Sequence, residues 1–233
     1  MASQDSGYES EETIIYDAEL DRVLEKYEEA AKDEPYYLLE PTYPIGCFHI
    51  KIGLSPARQF SPSIILYQHG KFTRISLNTF EWTTLIEMFI QIMEEFFIPP
   101  LPTCSDEYDP IEFECGDFCK LRQLVMENVK FLTIEKSVIE YYLCEDDVSQ
   151  ILRANIDLVS QRVSLLDKLQ FFSYYRNVVY FIQQNCHKSN SLYSRLHALT
   201  AFCGIFPDTL LSQALNEYVW YYSNKVVNDL DNC

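Results

Sequence analysis

Between Cys47 and Leu77 the sequence places cationic and ring-bearing side chains two residues apart, the spacing that collects them on one face of a β-strand. In Cys47–Ile52, residues Phe48, Ile50 and Ile52 point one way, and His49 and Lys51 point the other. Ser63–Gln68 (SIILYQ) is β-branched and apolar, and Phe72–Leu77 (FTRISL) sets Thr73, Ile75 and Leu77 against Phe72, Arg74 and Ser76. The open face of the resulting sheet gathers His49, Lys51, Tyr67, Phe72 and Arg74. Lys71 sits at its rim in the turn His69–Gly70–Lys71, and Arg58 lies in the loop between Pro56 and Pro62. Every base has a π-face that a ring can stack on, and ammonium and guanidinium groups follow phosphates, so these residue types suit single-stranded nucleic acid. The same types also serve solubility and cross-strand pairing on any exposed sheet. The charge pattern favours a ligand. The chain carries a net charge of −17, yet residues 41–80 hold four bases and no carboxylate, while residues 1–40 net −10 and residues 81–120 net −9. Overall acidity argues against broad binding of polyanions and for a local footprint.

Other chemistry has less support. Cys115 and Cys119 stand at a spacing zinc accepts, Cys104 is near, and Cys144 is taken as the fourth ligand, with Cys186 and His187 as alternatives. No CxxC pair is present, and the competing reading is free thiols packed as small hydrophobes. His49, His69, His187 and His197 sit in no HExxH, GxSxG or P-loop context. The acidic pairs Glu94–Glu95 and Asp146–Asp147 read as solvated faces, so no enzyme is expected. Near the N-terminus Asp5–Ser10 reads DSGYES, which resembles a phosphodegron recognised by an F-box ubiquitin-ligase adaptor once Ser6 and Ser10 are phosphorylated. The competing reading there is an acidic solubilising tail. Eight cysteines with no secretory signal point to a reducing compartment, nuclear or cytoplasmic. The longest apolar runs, such as Phe96–Leu101, are too short to span a bilayer.

The elements that must position these residues give an α+β chain: a small antiparallel sheet followed by a helix, then a separate C-terminal all-α bundle. Residues 1–16 read as a disordered acidic tail and 17–34 as an amphipathic helix capped by Asp17. Residues 43–98 form the sheet-plus-helix module. Its helix opens on Asn78–Thr79–Phe80–Glu81, a capping box, and carries the stripe Trp82, Leu85, Ile86, Phe89, Ile92 and Met93. Residues 99–119 read as an acidic linker bearing proline and cysteine, and 120–233 as helical throughout. There Leu121, Leu124, Val125, Val129 and Leu132 begin a stripe that Val138, Ile139 and Tyr142 continue. Further helices are expected over 146–160, 163–185, 191–203 and 208–228, with Gly204 ending the fourth and Asp208 capping the fifth.

The stretch GKFTRISLNTFEWTTLIEMF (Gly70–Phe89) resembles the C-terminal domain of the positive cofactor four family, single-stranded-DNA-binding transcriptional coactivators. Gly70, Lys71, Arg74, Ile75, Ser76, Leu77, Asn78, Glu81, Trp82 and Leu85 carry the resemblance, which extends over residues 43–95. Arg74 stands where that family often has glycine, and the loop from Pro56 to Pro62 has no counterpart in it. The resemblance implies a single-stranded-DNA-binding domain that forms a homodimer through its helix. Four to eight phosphate contacts, from one copy or two, would give a salt slope of about −3 to −6. In size, tyrosine content and small-domain layout the chain is also similar to small nonstructural replication proteins of insect DNA viruses such as densoviruses.

The reading is therefore a nonenzymatic single-stranded-DNA-binding accessory protein of replication or transcription. The alternative is an acidic protein-interaction adaptor whose helical half binds the partner. The dense aromatic runs Phe171–Tyr175 and Tyr218–Tyr222 are read as core rather than as a partner groove.

Overall fold

Strict alternation in the first half produces a four-stranded antiparallel sheet of order β1-β2-β3-β4: β1 Thr42–Ile45, β2 Phe48–Ser55, β3 Ser61–Gln68 and β4 Ile75–Asn78. This is a computed structural model, which describes residues 36–100 and 111–231 apart from 72, 116–117, 138, 186–193, 196, 199–200 and 202–208. The expected tail 1–16, the helix 17–34, Gly204 and Asp208 lie outside the described residues. Phe48, Ile50, Ile52, Ile64, Leu66, Ile75 and Leu77 are buried on one face, as the alternation requires. An edge strand was missed: β1 carries Pro44 opposite His49, a proline tolerated because an edge strand need not donate on both sides. The third expected strand begins later than its alternation suggests, at Ile75.

Asn78 then starts helix α1, Thr79–Ile92. The expected capping box forms: the Glu81 amide donates to Asn78 Oδ1 at 2.8 Å, and the Asn78 amide donates to Glu81 Oε2 at 2.7 Å. Trp82, Leu85, Ile86, Phe89 and Ile92 are buried, and Met93 opens a π turn, Met93–Phe97, that ends the helix. Lys130 Nζ donates to the carbonyls of Phe96, Phe97 and Pro99, which the helix end leaves without partners. Lys130→Met is expected to cost about 1–3 kcal/mol by stranding those carbonyls, read as a lowered urea midpoint at unchanged m-value.

Residues 111–143 contradict the sequence reading. They form neither linker nor helix but a second four-stranded antiparallel sheet: β5 Ile111–Cys115, β6 Cys119–Met126, β7 Val129–Lys136 and β8 Ile139–Leu143, in that order. Leu121, Leu124, Val125, Val129 and Leu132 fit a helical period only because a hairpin interrupts them. Glu127 and Asn128 both take positive φ, 52° and 63°, which suits the two-residue turn between twisted antiparallel strands. Leu121 then pairs with Ile134, and Ile134 with Tyr141, all fully buried.

Cys144 caps the next helix, α2 Glu145–Ala154, which passes through a π turn, Asn155–Val159, into α3, Ser160–Lys168. The chain thus contains two successive ββββα units, each with a capping box at the helix start and a π turn in its helix. The units share one core. Helix α1 meets β3, β4 and β5 as well as α2, while α2 touches β1 and α3 lies against β2 and β3. Trp82 Nε1 donates to Asn155 Oδ1 at 2.8 Å where the two helices meet.

Helices α4 Phe171–Asn185, α5 Leu210–Tyr221 and α6 Ser223–Asp231 follow. Gln170 at φ 48° breaks the expected helix 163–185, and Tyr222 breaks the one expected over 208–228, whose cap is Thr209 accepting from the Ser212 amide at 3.2 Å. The architecture is α+β, but the helices after Glu145 are not a bundle apart, since α2 and α3 complete the core of the first sheet. Phe60, at the end of the β2–β3 loop, inserts among Phe171, Tyr175 and Tyr218. The aromatic runs divide: Phe171, Tyr175 and Tyr218 are core, while Phe172, Trp220 and Tyr221 are exposed, as are Tyr180 and Phe181 outside the runs. No described helix is long and apolar enough to cross a membrane.

Candidate nucleic-acid interface

The outer face of the first sheet brings most of the expected residues together. Register sets His49 directly opposite Tyr67, and their rings stack at 5.0 Å with 14° between planes. His49 also stacks on His69 at 5.3 Å. Lys51 Nζ and the Arg74 guanidinium each lie over the Tyr67 ring, 5.7 Å from its centre. These contacts hold rings and cations in one cluster by cation–π attraction and stacking rather than by apolar burial. His69 was missed, although it follows Tyr67 by two residues and so shares its face; the turn signal Gly70 hid it. His49 Nδ1 is buried without a hydrogen-bond partner, a polar atom left over within the cluster.

Other expected residues stand apart. Lys71 is exposed at the end of β3, and its ammonium lies over Tyr141 of the second unit, 5.7 Å from the ring centre, which keeps it at the rim. Tyr141 in turn donates its hydroxyl to the Thr73 carbonyl and so fixes the approach to β4. Arg58 does not belong to the cluster. It lies in the 3-10 turn Pro56–Arg58 at the opposite end of the β2–β3 hairpin and pairs with Glu81 at 3.7 Å, where the helix start needs the carboxylate. Phe72 lies outside the described residues.

The face is also shorter than alternation alone suggests. Segment Tyr36–Glu40 runs along the edge of β2, bridged at Leu38 and Leu54, and sends the Tyr37 side chain over the far half: its Cβ lies by Gly53, and its hydroxyl meets Ser76 Oγ at 2.9 Å. Ile65, which pairs with both Lys51 and Ser76, and Ser63 are fully buried there. Glu40 takes Lys51 as an ion pair.

The second sheet supplies an internal contrast. On its outer face Arg122 pairs with Glu112 at 2.9 Å, Lys120 stands opposite Glu135, and Glu135 opposite Glu140. Glu140 also holds the Tyr142 phenol above its ordinary range through a hydrogen bond and its charge. Cations there stand opposite carboxylates, and on the first sheet Lys51 pairs with Glu40.

The four expected zinc ligands do not gather as one set. Cys104 lies outside the described residues. Cys115 and Cys119 are cross-strand partners, buried, with a hydrogen bond between their thiols that lowers the first and, with burial, raises the second. Cys144 instead donates its thiol to Asp147 at 3.1 Å, as does Cys47. Among the described residues no group of three or more histidines, cysteines or carboxylates is arranged to hold a metal ion. Ser6 and Ser10 lie outside the described residues.

Cys47 offers a chemical check on this geometry. Its side chain is exposed, yet desolvation and then Asp147 push its thiol up to about 11. A raised thiol pKa means less thiolate near neutral pH. The smaller thiolate fraction, partly offset by greater nucleophilicity, predicts alkylation about tenfold slower than at an ordinary exposed cysteine. Iodoacetamide labelling followed by peptide mass spectrometry measures that rate.

No family model matches the chain, and no curated protein matches it.

Proposed function

We propose that the chain is a nonenzymatic accessory protein that binds single-stranded DNA on the outer face of its first sheet and acts in replication or transcription. The observation that supports this reading is the convergence of His49, Tyr67 and His69 with Lys51 and Arg74 on neighbouring strands, inside a window free of carboxylates. Bases extend the ring row, and phosphates meet Arg74 and Lys71 at its edges. The buried face of α1, through which the resemblance implies dimerisation, packs against β3 and β4 of its own sheet and against β5 and α2, and the site is proposed here for one chain. With Arg58 elsewhere and Lys51 engaged by Glu40, Lys71 and Arg74 are the two cations assigned to phosphate, which lowers the expected salt slope to about −1.4.

Fluorescence anisotropy on a labelled thymidine oligonucleotide at two salt concentrations tests the reading. Salt-sensitive binding that prefers single strands over duplex is expected. Wild-type binding no tighter than that of the triple variant Lys51→Ala, Lys71→Ala, Arg74→Ala would show the reading to be wrong. A second reading, a protein-interaction role for α4–α6, is favoured by their exposed rings, Trp220 at 80%, Tyr180 at 63% and Phe181 at 50%.

A further inference from the structure

We infer that Tyr36–Glu40 is an internal stand-in for the ligand, a strap that occupies half of the binding face and must leave for a strand of full length to bind. The inference rests on the reading of that face as a single-stranded-DNA site and concerns its regulation.

The strap imitates both halves of a nucleotide. The Tyr37 side chain reaches across the sheet from Gly53 on β2 to Ser76 on β4, the partner of Ile65, where a stacked base would continue from Tyr67. The Glu40 carboxylate holds Lys51, the cation nearest that half of the face, in the place of a phosphate. Beneath the strap Ser63 Oγ is buried with no hydrogen-bond partner. That is a polar atom a ligand or water would satisfy and the strap does not.

The seat is built for the strap. A Cβ on Gly53 would come within 2.9 Å of the Leu38 carbonyl and 3.0 Å of Tyr37 Cβ, so glycine is what lets the strap lie flat. Leu38 and Leu54 exchange both backbone hydrogen bonds, at 3.0 and 2.9 Å. The strap is otherwise anchored to helices α3 and α5 and to Tyr222, which follows α5. Tyr36 stacks on Tyr221 at 3.5 Å, the Tyr222 hydroxyl donates to the Tyr36 carbonyl, and the Leu39 amide donates to Glu217 at 2.7 Å. Arg162 donates to the Leu39 carbonyl at 2.7 Å. Leu39 holds a φ of 56°, a conformation a leucine keeps only when its surroundings enforce it. The strap thus links the C-terminal helices to the binding face, and whatever loosens Tyr221, Tyr222 or Glu217 loosens the cover.

The test compares the full-length wild type with Glu40→Gln and Tyr37→Ala, using a thymidine oligonucleotide and anisotropy across a salt series. Freeing Lys51 adds one phosphate contact, so Glu40→Gln is expected to tighten binding about fivefold near 0.1 M salt and to steepen the slope by about 0.7. Tyr37→Ala is expected to tighten binding as well, and saturating oligonucleotide to raise hydrogen exchange at the Leu38 and Leu54 amides of the wild type. Wild-type binding that Arg74→Ala weakens, but that neither strap variant alters, overturns the strap while leaving the site intact. Binding by a strap variant where the wild type binds weakly supports it. Salt-sensitive binding by none of the three removes the site and the strap together.

Discussion

Trp82→Ala is expected to cost about 3–5 kcal/mol, the range for deleting a buried large aromatic side chain. Trp82 is 3% exposed in the first turn of α1 and joins the two ββββα units through its hydrogen bond to Asn155. Truncation opens a cavity between α1 and the π turn that separates α2 from α3, and it strips Asn155 Oδ1 of one donor, leaving only Ser160 Oγ at 3.3 Å. Because α2 and α3 complete the core of the first sheet, the loss should lower the stability of both units together. A single urea transition with a reduced midpoint is the expected form, followed by far-ultraviolet circular dichroism. Trp82→Phe separates the two contributions, since it keeps most of the volume and removes only the N–H. The chain has two tryptophans, and the other, Trp220, is 80% exposed. In a Trp220→Phe background the fluorescence of Trp82 therefore reports this junction alone. A cost for Trp82→Ala below about 1 kcal/mol would mean that the units do not depend on one another as described.

The second large effect concerns binding. Removing Lys71 and Arg74 together is expected to weaken oligonucleotide binding about 25-fold near 0.1 M salt and to flatten the salt slope by about 1.4, since each single-strand phosphate contact contributes about 0.7 to the slope. Stability should hardly change, because both side chains are exposed and neither caps a helix. Tyr67→Ala acts differently. It removes the ring that carries His49, Lys51 and Arg74, so affinity should fall by about 1–3 kcal/mol with little change of slope. The two variants distinguish phosphate contact from stacking, and a merely structural cluster would show neither pattern.

Local signals carried the first unit. Asn78 and Glu81 formed their box, the stripe from Trp82 to Ile92 was buried, and alternation brought His49, Lys51, Tyr67 and Arg74 to one face. The second unit was illegible for a physical reason. Hydrophobic residues at three- and four-residue spacing mimic a helix when a two-residue turn falls inside the run, and the turn here is Glu127–Asn128 rather than a glycine pair. Contacts of long sequence separation were also invisible. Arg58 falls outside the cluster, as only the fold shows by setting Glu81 beside it, and nothing in the sequence singles out Tyr36–Glu40 between Pro35 and Pro41. Nothing local marks Tyr37 as lying across a sheet, or Leu39 as bonded to Glu217, 178 residues away.

A single strand must touch the outer face of the first sheet if that face is the site. Photocrosslinking of the full chain to a bromodeoxyuridine-substituted oligonucleotide, with adducts mapped by peptide mass spectrometry, locates that contact directly. Adducts at His49, Tyr67 or His69 are predicted. Adducts confined to Tyr142 on the second sheet, or to Tyr180, Phe181 and Trp220 on the C-terminal helices, would contradict it.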